Sequence, residues 1–190
     1  GQPNTTAFTS TADNKATFII NGVSAEEKGE KKASFIVYKE CLCSFLTAGN
    51  CDVIISDLYV ENLYTETDGA FLNLLSYYAN VTLNNVTVYD SHAKMAGGAI
   101  CIVGDGNYWN IKSVTNTIKL TDTLFENCYA DTIGGGMYLC WMNPVITGDN
   151  AIFKNCHSLS GGGGIFITDQ NRNGEHRLSN CRTDGMCYMS

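Results

Sequence analysis

One pattern is written four times in this chain, and it constrains the fold more than any other feature. Residues 88–102 run from Val88-Tyr-Asp-Ser91 to Gly97-Gly-Ala-Ile-Cys-Ile102. They align without a gap to residues 125–139, Phe125-Glu-Asn-Cys128 to Gly134-Gly-Gly-Met-Tyr-Leu139. Residues 153–167 repeat it again from Phe153-Lys-Asn-Cys156 to Gly162-Gly-Gly-Ile-Phe-Ile167, and Leu178-Ser-Asn-Cys181 starts a fourth copy. The successive intervals are 37, 28 and 25 residues. A period in this range is the sequence mark of a solenoid, in which each unit buries its apolar face against its neighbours.

Each copy reads as strand, turn, strand. Ile118–Phe125 is strand-like and ends at Asn127-Cys128, where an Asn suits a left-handed turn. A glycine box follows, then the short apolar run Met137-Tyr-Leu-Cys140. No helical period lies between the strands, which excludes a βαβ or leucine-rich-repeat unit. The expected fold is therefore all-β, a right-handed parallel β-helix (solenoid) of about six to seven rungs with an irregular N-terminal cap. A β-sandwich with coincidental glycine runs is the alternative. A fainter copy at Gly69-Ala-Phe-Leu-Asn-Leu74 matches Gly98-Ala-Ile100 at an interval of 29 residues, placing Tyr59-Val-Glu61 in its first strand. Residues 1–56 read as the strand-rich cap and residues 57–190 as the repeats, in one continuous domain.

Stacking would turn aligned positions into columns. Asp90, Asn127, Asn155 and Asn180 form a polar column expected to carry a ladder of amide hydrogen bonds. Ser91, Cys128, Cys156 and Cys181 form a small inward column, which leaves His92, Tyr129, His157 and Arg182 outward. The Cys128, Cys156 and Cys181 column reads either as a disulfide with one thiol or as a stack of buried thiols. Phe125, Phe153 and Leu178 are expected to stack inside.

Composition fits one extracellular domain. Nine cysteines in 190 residues is a high count, and its odd number implies a thiol or an interchain link. Sequons begin at Asn4, Asn80 and Asn85. The chain opens at Gly1 rather than Met, as after removal of a signal peptide or trimming. No apolar run is long enough for a membrane span. The net charge of −7 and the lack of a basic patch argue against a nucleic-acid partner.

Chemistry-bearing motifs are sparse. Gly161–Gly164 is followed by no Gly-Lys-Ser/Thr, so it reads as a structural corner rather than a phosphate loop. His92 and His157 lie two rungs apart, too far for one metal ion, and Cys41, Cys43 and Cys51 match zinc spacing poorly. No cofactor or metal is called for. The acids are scattered, and Asp131 is expected to pair with Lys94 across rungs.

The boxes resemble a known family. Gly98-Ala-Ile100, Gly135-Gly-Met137 and Gly163-Gly-Ile165 look like the Gly-Gly-Ala-aliphatic motif of chlamydial polymorphic outer-membrane proteins. Phe125-x-Asn127-Cys and Phe153-x-Asn155-Cys are similar to that family's Phe-x-x-Asn box, one residue shorter and with Cys added. The resemblance covers residues 59–190 and implies a right-handed parallel β-helix displayed on a cell surface for adhesion or as a stalk. The family's C-terminal membrane barrel has no counterpart here, and the Cys-bearing box also looks like repeats in secreted proteins of unicellular eukaryotes.

The favoured function is an extracellular, non-catalytic structural or adhesive module; the alternative is a carbohydrate-active β-helix enzyme, a polysaccharide lyase or hydrolase. Its expected partners are itself, by head-to-tail stacking into a fibre, or cell-surface glycans. By register the last copy stops at its glycine corner, exposing backbone for such stacking. Tyr108 and Trp109, in the insert after Gly104, and Met186, Cys187 and Tyr188 are the expected assembly or glycan contacts.

Overall fold

The computed structural model describes residues 8–10, 16–22, 25–27, 30–32, 34–37, 42–75, 78–104, 116–140, 144–168, 177–179, 182–183 and 188–189. Among these residues the chain is all-β, with two separate parallel sheets. The seven-stranded sheet has the order β1 (Phe8–Ser10), β6 (Leu46–Ala48), β8 (Leu72–Leu75), β10 (Ile100–Val103), β13 (Met137–Cys140), β16 (Ile165–Thr168), β19 (Tyr188–Met189). The ten-stranded sheet is built on the long strands β7 (Cys51–Thr65), β9 (Ala79–Ala93), β11 (Asn116–Glu126) and β14 (Pro144–Lys154). To these pair β2 (Ala16–Asn21), β5 (Ser34–Val37), β12 (Tyr129–Ala130), β15 (His157–Ser158), β17 (Arg177–Ser179) and β18 (Arg182–Thr183). A small antiparallel pair, β3 (Ala25–Glu27) and β4 (Glu30–Lys32), stands apart from both sheets.

The fold expectation is corrected on this point. The strands divide between two parallel sheets stacked in a sandwich-like arrangement, not a single right-handed β-helical solenoid. The repeat period dictates that like pairs with like in parallel. It is silent on how many sheets share those strands. The pairing itself follows the copies closely: Phe125 lies opposite Phe153, Val88 opposite Phe125, and Ile100 opposite Met137.

Two registers differ from the sequence alignment. Leu72 pairs with Ile100, so Gly69 stands beside Gly97 and Val60 beside Val88, one residue away from the expected match. A one-residue slip would have turned every side chain to the opposite face, so burial selects the true register. Val60 and Val88 are both fully buried. In the last copy, Leu178 pairs with Gly148 and Thr183 with Phe153, so Leu178 does not join the phenylalanine column. Arg182 pairs with Ile152 rather than following His157. A four-residue match is too short to outweigh the pairing of β17 and β18 with β14.

The core lies between the sheets. Strand positions alternate buried and partly exposed along β7 and β9, as expected for one face against a core. Leu72, Ile100 and Met137 come from one sheet, and Val53, Leu83 and Phe125 from the other. Phe125 and Phe153 stack with centroids 4.8 Å apart and planes 13° from parallel, and Phe45 stacks on Phe71 at 5.5 Å. Strand β7 is continuous across residues 56 and 57, and β2 pairs with its first half from Ala16↔Cys51 to Asn21↔Ser56.

Three lines of left-handed residues bend the copies. Asp57, Asn85, Asp122 and Asn150 form the first and Asn62, Asp90, Asn127 and Asn155 the second, all with φ between 47° and 58°. Gly69, Gly97, Gly134 and Gly162 form the third, with φ of 54° to 66°. Every described non-glycine residue with positive φ is Asp or Asn, the types that tolerate this region through a short polar side chain. The glycine box has a second reason. The Gly98 N–H donates to the Gly134 carbonyl at 3.0 Å, and backbone lies directly on backbone there. A Cβ on Gly98 would stand 2.0 Å from the Gly135 oxygen and 2.5 Å from that of Tyr129.

Two outcomes follow for stability. Gly98→Ala should cost more than about 3 kcal/mol or abolish folding, by analogy with overpacked cores. Gly49→Ala, whose Cβ meets only the Leu75 oxygen at 3.4 Å, should leave the denaturation midpoint nearly unchanged. The second concerns Cys51, which burial first and Asp52 second raise from 9.0 to about 11. The fold thus favours the neutral thiol: stability is complete below pH 9, where the unfolded thiol is also neutral, and is lost as pH rises from 9 to 11. Cys51→Ala places at this position the residue found opposite it, Ala16 and Ala79. Thermal melts of wild type should fall more steeply than those of Cys51→Ala across that window; parallel curves would show that the Cys51 thiol is not the titrating group.

Candidate functional site: an outward aromatic and charged strip

Beyond the second corner each copy turns one residue inward and the next outward. Ser91, Cys128 and Cys156 point in, with exposures of 0%, 0% and 4%. Their successors point out and stack. Tyr64 meets His92 edge-on at 5.1 Å, His92 meets Tyr129 at 4.7 Å, and Tyr129 lies on His157 at 4.4 Å. The backbone register enforces this: Tyr64 pairs with His92, His92 with Tyr129 and Tyr129 with His157.

Two residues further on, Glu66, Lys94 and Asp131 form a charged column beside the rings. Lys94 Nζ donates to Glu66 Oε2 at 2.5 Å, and the Tyr64 hydroxyl donates to Glu66 Oε1 at 2.8 Å. The lysine first and the tyrosine second hold the Glu66 carboxyl below its ordinary range, and Glu66 in turn raises Lys94. His92 Nε2 lies 2.7 Å from Asp131 Oδ1. The expected Lys94–Asp131 pair is therefore replaced by Lys94–Glu66 and His92–Asp131. The one-residue slip in the upstream copy is the reason, since it set Thr65 rather than Glu66 beside Lys94. Burial of its ring, then the charge of Asp131, raises the Tyr129 phenol.

The same economy runs over the rest of the outer surface. Asn85 Nδ2 donates to Asp57 Oδ1 at 2.7 Å and Asn150 Nδ2 to Asp122 Oδ1 at 2.8 Å. Asn155 Nδ2 donates to Asn127 Oδ1 at 3.3 Å in the second corner line, and Lys154 Nζ to Glu126 Oε1 at 2.6 Å. The Tyr59 hydroxyl donates to Glu61 at 2.8 Å, and burial with that carboxylate raises the phenol to about 12. Most of these bonds cross from one copy to the next, and each engages a carboxylate or an amide.

Two of the sequon asparagines, Asn80 and Asn85, belong to these ladders. Asn80 Nδ2 donates to Asp52 Oδ1 at 3.0 Å and to the Tyr78 hydroxyl, while its Oδ1 accepts the Thr117 N–H at 2.9 Å. Asn116 Oδ1 accepts the Ala79 N–H at 2.8 Å, so two side chains splice β9 to the start of β11. Asn85 occupies a left-handed corner. Cys128 and Cys156 are thiols in the core. Tyr188 lies in β19 opposite Phe166. Asn4, Tyr108, Trp109, Cys181, Met186 and Cys187 fall outside the described residues, as do Asn180 and the insert from residue 105 to 115.

A small open groove of about 150 Å³ lies across β11 and β14, lined by Lys119, Thr121, Thr147 and Asp149 with the backbone of Leu120 and Gly148. Among the described residues no cluster of three or more His, Cys, Asp or Glu side chains is arranged to hold a metal ion. No helix among them is long and apolar enough to cross a membrane. The chain matches no protein-family model, no curated protein and no solved structure.

The corner chemistry is open to measurement at Asn85. Replacement by Ala loses a charge-assisted hydrogen bond and strains the backbone, at about 3 kcal/mol in all. Replacement by Gly loses the bond alone and should cost about 1 kcal/mol less, as read by urea denaturation. Equal losses would show that backbone conformation is not limiting at this corner.

Proposed function

We propose that this chain is an extracellular, non-catalytic structural or adhesive module, with its own copies or cell-surface glycans as partners. The observation that supports this reading is the use of the outward polar groups. Glu61, Glu66, Asp57, Asp122, Glu126 and Asp131 each accept a hydrogen bond from a named neighbour, most of them on the adjoining copy. A glycosidase needs two carboxylates facing each other across a cleft with one free to take or give a proton. Acids committed to tyrosine, lysine and asparagine donors instead tie copy to copy and make the surface stiff. The resemblance of the glycine and Phe-x-Asn boxes to polymorphic outer-membrane proteins favours surface display in the same direction.

The test is a pair of measurements on the whole chain. Light scattering over a concentration series should give species larger than the 20.7 kDa monomer, or immobilised cell-surface glycans should retain it. Replacing Tyr108 and Trp109 together by Ala should weaken assembly or retention without lowering the melting temperature. A strictly monomeric chain that no glycan retains, or one that releases reducing ends from a polysaccharide, would overturn the proposal.

A further inference from the structure

Cys128 and Cys156 are one 28-residue repeat apart, like the Asn127–Asn155 pair just before them. Their neighbours Tyr129 and His157 are direct register partners, and the His157 N–H donates to the Cys128 carbonyl at 3.0 Å. Adjoining parallel strands run about 4.8 Å apart, inside the Cα separation of about 4.4–6.8 Å that a disulfide bridges. Both side chains point into the core, and Cys156 Sγ donates at 3.4 Å to the carbonyl of Phe125, in the copy that carries Cys128. Cys101 and Cys140, the other buried thiols on adjoining strands, lie diagonally: Cys101 pairs with Tyr138 and Cys140 with Val103.

We infer that Cys128 and Cys156 form a redox clasp, a dithiol that a peroxide closes into a disulfide joining two consecutive copies across the core. The two sulfurs are not equivalent. Cys156 keeps 4% of its surface exposed while Cys128 is fully buried, so a peroxide reaches Cys156 first, and burial holds the Cys128 thiol neutral. Cys156 is therefore the attacking sulfur. Its thiolate takes one peroxide oxygen, forming an S–O bond as the O–O bond breaks and hydroxide leaves. Cys128 sulfur then displaces that oxygen: the S–S bond forms, the S–O bond breaks, and the departing oxygen leaves as water. Two thiols are oxidised, one hydrogen peroxide is reduced to two waters, and the thiol protons end in the water. Ser91 holds the same inward position one copy earlier, donating from Oγ to the Gly98 carbonyl at 2.8 Å, so a serine is accommodated there by the fold.

The experiment compares reduced protein with protein treated with hydrogen peroxide under native conditions, then mapped by peptide mass spectrometry. A linked peptide pair containing Cys128 and Cys156 is expected, reversed by dithiothreitol, with a higher melting temperature for the oxidised form. The Cys128→Ser and Cys156→Ser variants should fold, with circular dichroism like wild type, and lose both the link and the thermal gain. In Cys128→Ser, a dimedone adduct should accumulate at Cys156. Native protein that keeps both thiols after oxidation, links either to another cysteine, or traps the sulfenic acid at Cys128 rather than Cys156 would overturn the inference. Should both serine variants misfold, the linked peptide in wild type still decides it.

Discussion

Everything in this structure rests on the left-handed corner residue. Bending a strand by one residue with φ near +50° costs an ordinary side chain about 1–2 kcal/mol. The chain meets that cost in two ways, with glycine where backbone touches backbone and with Asp or Asn where there is room for a polar side chain. Once the corner residue is Asp or Asn, its side chain lands beside the same residue of the next copy. Asn85 on Asp57 and Asn150 on Asp122 are the direct result. The corner that strains the backbone therefore also supplies the bond that holds successive copies in line.

The inward faces depend on that alignment. With the corners in register, Phe125 falls on Phe153 and the small Ser91, Cys128 and Cys156 fall together. The outward faces depend on it equally, since the Tyr64, His92, Tyr129 and His157 rings stack only because their backbones are paired. The contacts run from edge-on at Tyr64–His92 through tilted at His92–Tyr129 to stacked at Tyr129–His157, and they tie each ring to the next, so the strip acts first as a brace. Its charged neighbours Glu66, Lys94 and Asp131 complete the brace by pairing within the strip.

Much of this was legible in the sequence, and what was not has identifiable causes. Gapless matches over fifteen residues gave the pairing of Phe125 with Phe153, the inward thiols and the outward His92–Tyr129–His157 column. The upstream copy was misaligned by one residue because Gly-Ala recurs at Gly69 and Gly98, while the conformational need for positive φ lies at Gly69 and Gly97. That slip hid Tyr64 and Glu66, the first ring and the first acid of the strip. A search for Asp or Asn pairs five residues apart, as at Asn85 and Asp90, Asp122 and Asn127, and Asn150 and Asn155, would have found Asp57 and Asn62 and restored the register. The Asn180-Cys181 echo misled for the opposite reason, since four residues match by chance while strand pairing sets Thr183 against Phe153. Nor does any repeat length specify how strands divide between two sheets, because the same parallel neighbours satisfy the same backbone groups either way.

The first corner line alternates acid and amide: Asp57, Asn85, Asp122, Asn150. Its hydrogen bonds join the line in twos, an amide donor reaching back to the acid before it. The copies are thus not interchangeable beads. Excising the one that carries Asn85 sets two carboxylates against each other at a bend, whereas excising a consecutive acid–amide couple leaves the order intact. Along this line the unit whose gain or loss keeps every bond is a doublet, so its tolerance of gain or loss has a parity.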